Sequence, residues 1–302
     1  MRVLITGATG FIGTALTEEL KRAGHEPVPL VRGEPRPGAR TWSVDDNRID
    51  GDALDGIDAV VHLAGAPIGP WLTDDKRAEI MQSRRDGTRL IAEAVAEAKL
   101  QVFVSASGKD YYGDTGDTDL TESSPKGSGF LADVVEVWEE ETRPASEAGV
   151  RTVMLRTGLV LDGSGGLMTT RLFGIPGLNL LLPFKLGVGG PFGSGRQWWS
   201  WISLEDEVRA IVHCLETESV EGPVNLTAPE PVRFRAFAKE LGRVLHRPAV
   251  IPLPGFALKA LVGPQFAEEA ILVSNRVLPT KLLDSGFEFS HPDLRTALEA
   301  IF

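Results

Sequence analysis

Three glycines near the start of the chain, Gly7, Gly10 and Gly13, have the spacing of a turn that binds phosphate groups. An apolar run precedes them and an amphipathic helical pattern follows. In such a turn, Gly7 permits the sharp bend, Gly10 lets the backbone approach a pyrophosphate, and Gly13 lets the helix pack closely on the strand. The alternative is a turn that contains glycine for conformational reasons alone. We predict a dinucleotide site with cofactor-binding residues Thr6, Gly7, Thr9, Gly10, Phe11, Ile12 and Gly13.

The residue after the second predicted strand, residues 25–31, indicates which dinucleotide is bound. In sites selective for NAD, an acidic residue at this strand end accepts hydrogen bonds from the adenosine ribose. Here the strand is followed by Arg32, whose planar guanidinium matches a 2′-phosphate. NADP(H) is therefore favoured over NAD(H). The alternative is that Arg32 is a solvated loop residue, and the nearby Glu34 opposes the phosphate interpretation.

The pattern of elements in the first half is typical of a doubly wound sheet. Short, continuously apolar strands are predicted at residues 59–63, 102–105 and 152–155, and they alternate with helices at 79–98 and 131–148. We therefore predict an α/β fold with a Rossmann-like doubly wound parallel sheet.

The second half has a different composition. Residues 163–195 are rich in Gly, Pro and Leu, which predicts loops over a cleft. We predict a dinucleotide-binding domain at 1–160 and a smaller C-terminal α+β substrate region at 161–302, of which residues 203–230 return to the sheet.

Composition limits the classes of partner. The chain has 302 residues and a formal net charge of -11, which opposes binding to nucleic acid and to anionic lipid and favours a small-molecule substrate. Cys214 is the only cysteine, and strand-like residues begin at position 2, so we expect a cytoplasmic protein without a cleaved leader. The five histidines have no metal-ligand spacing, so no metal is predicted.

Several further motifs carry a resemblance to a known family. They are the glycine segment 6–13, HLAG at 62–65, SAS at 105–107 followed by YYG at 111–113, RTG at 156–158, residues 195–202, and VNLT at 224–227. With them the sequence resembles the extended short-chain dehydrogenase/reductase superfamily, in its atypical epimerase/dehydratase-like branch with a small C-terminal domain. The resemblance implies that Leu63, Ala64 and Gly65 lie against the cofactor and that Ser107 lies at a strand end near the nicotinamide and the substrate. Ser105 is the alternative serine and is assigned to the cofactor side.

The chain departs from this family at the catalytic pair. Standard members have a Tyr and, four residues later, a Lys on the following helix, whereas the corresponding positions here are Phe130 and Val134. Tyr111 and Tyr112 are the candidate substitutes, and Lys109 is the nearest cation in sequence that could activate them. The alternative is that both tyrosines pack in the wall of the cleft. The carboxylates at positions 136, 139, 140 and 141 are interpreted as a solvated helix face.

The substrate side is assigned to a loop that contains Arg196, Gln197 and Trp201, which could hold an anionic or planar substrate. The alternative is that its tryptophans only join the two regions. The helix 79–98 carries Ser83, Arg84 and Arg85, which face either the same cleft or solvent. We predict an NADP(H)-binding oxidoreductase or epimerase-like enzyme for a small polar substrate, possibly anionic or a sugar nucleotide. The alternative is a catalytically silent NADP(H)-binding sensor, and a homodimer is suggested by analogy alone.

Overall fold

A sheet of eight strands lies at the centre of the computed structural model, which describes residues 1–33, 37–166, 169 and 179–302. Its spatial order is β12, β8, β6, β5, β1, β2, β3, β4, and all neighbours are parallel except β3 and β4. In chain order the described strands are β1 (Arg2–Thr6), β2 (Glu26–Arg32), β3 (Arg40–Ser43), β4 (Arg48–Ile49), β5 (Ala59–His62), β6 (Val102–Gly108), β7 (Asp119–Leu120), β8 (Arg151–Thr157), β9 (Leu159–Leu161), β10 (Trp198–Trp199), β11 (Trp201–Ser203), β12 (Gly222–Leu226), β13 (Val232–Arg233) and β14 (Arg276–Val277).

Helices cover both faces of the sheet. The described helices are α1 (Phe11–Arg22), α2 (Asp74–Ala98), α3 (Phe130–Glu140), α4 (Arg143–Glu147), α5 (Leu182–Lys185), α6 (Leu204–Glu216), α7 (Phe234–Val244), α8 (Gly255–Val262), α9 (Pro264–Phe266), α10 (Thr280–Asp284) and α11 (Leu294–Ile301), with a 3-10 turn at Lys109–Tyr112 and a π turn at Ala267–Ile271.

The alternation of side chains along β1 explains the two layers. Val3 and Ile5 point into a core that contains Leu16 of α1 and Ile211 of α6, whereas Leu4 points into the opposite core beside α2. Both faces of the strand are therefore buried, as expected for a parallel sheet between two helical layers. The predicted doubly wound α/β fold is confirmed.

The order of strands creates a crevice beside β1. The chain places β2 on one side of β1, crosses over, and places β5 on the other side. In sheets of this kind the loops at the carboxyl ends of the two diverging strands separate, and the gap binds ligands. The loops that follow β1 and β5 form this gap here.

The C-terminal part has its own core, in which Trp199 and Trp201 pack with Phe234 and Phe237 of α7. The chain returns to the central sheet at β12, which follows α6. The assignment of 161–302 to substrate binding stays a prediction, and much of the loop prediction for 163–195 lies outside the described residues. None of the described helices is long and apolar enough to cross a membrane.

One predicted helix is wrong in its extent. The pattern at 131–148 corresponds to two helices, because α3 ends at Glu140 and Pro144 starts the first turn of α4. Proline lacks the backbone donor that a continuous helix needs and fits the first turn of a new helix.

Candidate functional site

The three glycines of the first turn have separate geometric roles. Gly7 has φ +70°, and a Cβ built on it would lie 2.9 Å from the carbonyl carbon of Leu63. A Cβ on Gly13 would lie 2.1 Å from the Gly7 oxygen, so only glycine allows α1 to approach the turn. A Cβ on Gly10 would meet only the Gly7 oxygen, at 3.2 Å, and no side chain caps the start of α1. The turn thus presents open backbone amides at a helix N-terminus, which is favourable for an anion.

The gap beside β1, which we call the crevice, has two adjoining parts. One cavity of about 390 Å³ lies between the glycine turn, the end of β2 and the loop 63–65. A second, of about 250 Å³, shares Arg32, Trp42, Ala64 and Gly65 with the first and extends to Ser83 of α2. Of the predicted cofactor-binding residues, the crevice is lined by Gly7, Thr9, Gly10, Arg32, Leu63, Ala64 and Gly65.

The floor of the crevice is a fixed hydrogen-bond network. His62 is fully buried, with Nδ1 2.8 Å from the Thr6 hydroxyl and Nε2 3.2 Å from the Thr88 hydroxyl. Burial, and secondarily the charge of Arg84, lower the pKa of His62 to about 3, so this ring is neutral. The Thr6 hydroxyl accepts the amides of Leu63 and Ala64 at 3.1 Å each. Thr6 therefore supports the crevice from below, since it is itself buried, rather than lining it.

Arg32 lies at the rim of the crevice. It ends β2, is exposed, and lies opposite Trp42 in the register with β3. Over the described ranges of the chain, Arg32 has no ion pair with a carboxylate, although Asp45 lines the same cavity. Glu34, which opposes the phosphate interpretation, lies outside the described residues. The guanidinium is thus free to pair with an anionic group entering the crevice.

Ser107 and Tyr112, predicted to be catalytic, belong to a buried network. The Ser107 hydroxyl donates to Glu139 Oε1 at 2.6 Å, and Arg156 donates to both oxygens of Glu139 at 2.8 and 2.7 Å. Arg156 Nη1 also donates to the Tyr112 hydroxyl at 3.0 Å, which in turn donates to Asn225 Oδ1 at 2.7 Å. Tyr112 is fully buried, and burial raises its pKa. This placement corrects the prediction for Tyr112, because its only proton is already donated inside the protein.

Two other expectations about this region are wrong. Glu139 is not on a solvated helix face: it forms the ion pair with Arg156, and Glu141 pairs with Arg89 at 2.7 Å. Glu139 also raises the pKa of Arg156 against the lowering caused by burial. Lys109 does not activate the tyrosines, because it pairs with Asp110 at 2.8 Å. The cation beside them is Arg156, near the carboxyl end of β8.

Tyr111 is the predicted catalytic residue that stays partly exposed. Its ring lies 3.6 Å from the guanidinium carbon of Arg156, a cation–π contact, and meets the Tyr112 ring edge to face at 5.5 Å. On α3, Phe130 lies under the guanidinium of Arg77 at 5.8 Å, and Val134 is buried. Neither residue of this helix face can exchange a proton. In the predicted set, the Ser107 and Tyr112 hydroxyls already donate to Glu139 and Asn225, which leaves Tyr111 as the candidate.

Several other predicted residues do not reach the crevice. Ser105 is buried in β6 and donates to the Ala106 carbonyl at 3.2 Å, so it does not line the crevice, and its assignment to the cofactor stays a prediction. Gln197 donates to the Phe192 carbonyl at 3.3 Å and Trp201 to the Glu230 carbonyl at 3.1 Å. Both side chains are buried, which corrects their assignment to substrate binding.

Other predictions are left open by the geometry. Arg196 is exposed on its loop. Phe11 and Ile12 start α1 and are half-buried, and the Phe11 ring packs against Gly165.

Comparison with known proteins defines the class. Residues 3–161 match a family model described as the NAD dependent epimerase/dehydratase family, and residues 253–301 match a domain of unknown function, DUF1731. The chain therefore belongs to the NAD dependent epimerase/dehydratase family, which confirms the resemblance seen in its motifs.

Within this family, the chain is similar over nearly its whole length to several known proteins. Epimerase family protein Mb2239 of Mycobacterium bovis is 39% identical over 300 residues, which are 98% of this chain and 96% of the relative. The crystal structure of human epimerase family protein SDR39U1 (isoform 2) with NADPH has a TM-score of 0.89 at 37% identity, covering 100% of this chain and 99% of that one. The nucleoside-diphosphate sugar epimerase of Corynebacterium glutamicum has a TM-score of 0.80 at 36% identity and covers 100% of this chain and 58% of that one.

Proposed function

We propose that this chain binds NADP(H) in the crevice and acts as an oxidoreductase or epimerase-like enzyme on a small polar substrate. The observation that carries the proposal is the crevice itself, where the glycine turn and Arg32, which has no ion pair within the described residues, flank one cavity at the reversal of strand order. The human relative crystallised with NADPH supports the same ligand.

The glycine turn fits a dinucleotide. Gly10 leaves room for a pyrophosphate at the start of α1, because a side chain there would stand at the mouth of the turn. Gly7 and Gly13 bring β5 and α1 close enough to close the turn around it. When bound, the nicotinamide supplies the hydride chemistry, and the chain has to bind the cofactor, orient it and exchange a proton.

The preference for NADP(H) over NAD(H) follows from Arg32. A guanidinium at the end of β2 can pair with a 2′-phosphate through two parallel hydrogen bonds. A site for NAD would instead place a carboxylate at this strand end. Asp45 on the opposite wall does not pair with Arg32, so the charge of Arg32 remains available.

We assign proton exchange to Tyr111. Its ring is held by the guanidinium of Arg156, and its side chain stays partly exposed. For the substrate we propose a small polar molecule, and the name of the Corynebacterium glutamicum relative supports a sugar nucleotide. Arg196, on its exposed loop, is the residue that we assign to an anionic group of the substrate.

A cytoplasmic location, proposed from the lone cysteine, fits the buried position of Cys214.

A catalytically silent NADP(H)-binding protein is the second candidate. It is favoured by the same helix face of α3, where Phe130 and Val134 can neither donate nor accept a proton. The buried, fully bonded Tyr112 favours it too. Turnover distinguishes the two functions, whereas cofactor binding is common to both.

The first test is a titration with NADPH and with NADH, followed by nicotinamide fluorescence and tryptophan quenching. We expect tighter binding of NADPH, and Arg32→Ala should weaken NADPH binding about tenfold or more while leaving NADH nearly unchanged. Arg48→Ala, at an exposed position of β4, is the matched control for loss of one positive charge. Equal affinity for the two cofactors would refute the role of Arg32, and binding of neither would refute the proposed function.

The second test is turnover. Tyr111→Phe and wild type are compared for NADPH oxidation with a panel of aldehydes, ketones and sugar nucleotides. We expect Tyr111→Phe to lose activity and to keep its affinity for NADPH. Unchanged turnover would remove Tyr111 from the mechanism, and a wild type that binds NADPH but reacts with no member of the panel would favour the silent protein.

A further inference from the structure

Arg84 occupies an unusual place beneath the crevice. It lies on α2, is 6% exposed, and donates from Nη1 to the Ala66 carbonyl and, at 3.1 Å, to the Ser83 hydroxyl. A Cβ built on Gly65 would lie 3.0 Å from the guanidinium carbon of Arg84. The absence of a side chain at Gly65 therefore leaves space for Arg84 close under the loop that lines the crevice.

Glu79 is the carboxylate that acts electrostatically on Arg84, and it acts without direct contact. In the part of the chain that the structure describes, no carboxylate forms an ion pair with it, and its buried Nε has no hydrogen-bond acceptor. Glu79, on the same helix, is exposed and pairs with Lys76 at 2.8 Å. Burial lowers the pKa of Arg84 to about 10, which leaves it charged at neutral pH. A buried cation of this kind is costly unless something neutralises it.

A second buried donor without an acceptor lies beside it. The guanidinium of Arg84 stacks 4.9 Å from the ring centre of Trp138, and the indole Nε1 of Trp138 has no partner among the described residues. Trp138 is 8% exposed and follows Phe130 and Val134 on α3 at intervals of about one turn. The face of α3 that carries Phe130 and Val134 therefore ends, at Trp138, next to the positive charge of Arg84.

We propose that Arg84 positions the nucleotide. Its positive charge, held beneath Gly65 and Ala66, is neutralised by the phosphate groups of a ligand in the crevice, and its bond to the Ala66 carbonyl fixes the loop against that ligand. This role depends on the nucleotide binding proposed above. It differs from a purely structural role, in which the cation–π contact and the bond to Ala66 would account for Arg84 entirely.

The two roles predict different ligand dependence. Removal of the positive charge weakens the binding of an anionic ligand and leaves the binding of an uncharged ligand unaffected. Loss of loop structure weakens the binding of both. Wild type, Arg84→Met and Arg84→Lys are titrated with NADPH and, by ligand-observed NMR, with adenosine. Arg85→Met, at the exposed neighbouring position on α2, is the matched control for one lost positive charge.

We expect Arg84→Met to weaken NADPH binding about tenfold, to change adenosine binding less than about twofold, and Arg84→Lys to recover most of the loss. Arg84→Gln, which keeps N–H donors without the charge, repeats the test if the methionine variant does not fold. Equal losses for NADPH and adenosine, or no loss of NADPH binding, would overturn the role of Arg84 while nucleotide binding by wild type stands. Absence of NADPH binding by wild type would overturn both.

Discussion

We predict that the unfolding free energy of wild type falls between pH 5 and pH 9, and that Glu207→Gln shows a much smaller fall. Glu207 lies on α6 and is 1% exposed. Its Oε1 accepts the Thr157 hydroxyl at 2.9 Å, and its buried Oε2 has no partner among the described residues. Burial raises the pKa of this carboxyl from 4.5 to about 8. The folded protein therefore holds a neutral acid at neutral pH.

The sign and size of the effect follow from linkage. As pH rises above 4.5 the unfolded chain releases this proton, whereas the folded chain retains it until about pH 8. The unfolded state is thus favoured progressively over this window, and the loss levels off above it. At 1.36 kcal/mol per pKa unit, the difference in unfolding free energy between pH 5 and pH 9 is about 4 kcal/mol.

The assay is equilibrium urea unfolding of wild type and Glu207→Gln, followed by tryptophan fluorescence at intervals from pH 5 to pH 9. Other titrating groups are common to the two proteins, so the difference between their unfolding free energies isolates Glu207. We expect the unfolding free energy of Glu207→Gln to rise relative to that of wild type as pH rises. Glu205→Gln, exposed on the same helix, is the control for removing a carboxylate from α6. Parallel profiles for wild type and Glu207→Gln would refute the reasoning.

Three further substitutions test the packing of the site. Gly13→Ala, whose Cβ would lie 2.1 Å from a backbone oxygen, should cost about 2 kcal/mol in urea unfolding and weaken NADPH binding, whereas Gly51→Ala, with no atom within 4 Å, should leave both unchanged. Glu139→Gln leaves the buried Arg156 without its counter-charge and should cost about 3 kcal/mol, and a cost below about 1 kcal/mol would contradict the buried pair. Tyr112→Phe leaves two buried polar groups unpaired and should cost about 1–3 kcal/mol by thermal or urea unfolding, and a neutral result would show that its hydroxyl is dispensable.

The cofactor half of the site could be predicted because its signals are local. Gly7, Gly10 and Gly13 lie within one βα turn. Contacts with the loop after β5 and inside the turn require glycine at positions 7 and 13. The parallel sheet could be predicted for the same reason, since each buried strand is a short apolar run. The short strands β3, β4 and β9 carry too few residues for a periodic pattern, so they were missed.

The other half of the site depends on contacts between distant parts of the chain. Glu139 belongs to a run of acidic residues that is indistinguishable from a solvated face until β8 places Arg156 against it. Trp201 was assigned to a ligand because indoles stack on planar substrates, yet α7 supplies phenylalanines that bury it. Residue type alone could not decide between binding and packing in either case, because burial is a property of the assembled fold.

Hydrogen-bond satisfaction separates the two groups of polar residues beneath the crevice. Ser107, Glu139, Arg156 and Tyr112 bond to one another and to Asn225, so this cluster joins three neighbouring strands to α3 and has no need of a ligand. Arg84 is different, since its charge and one of its donors are left without partners. Buried polar groups in folded proteins are normally paired, and a group that is not paired needs an explanation. In the family's standard members, a Tyr and a Lys on the helix corresponding to α3 exchange the proton and bind the ribose. Here that face of α3 is apolar, and the charge beside it is that of Arg84 on α2. If a nucleotide occupies the crevice, its phosphate groups would supply the counter-charge that Arg84 lacks among the described residues.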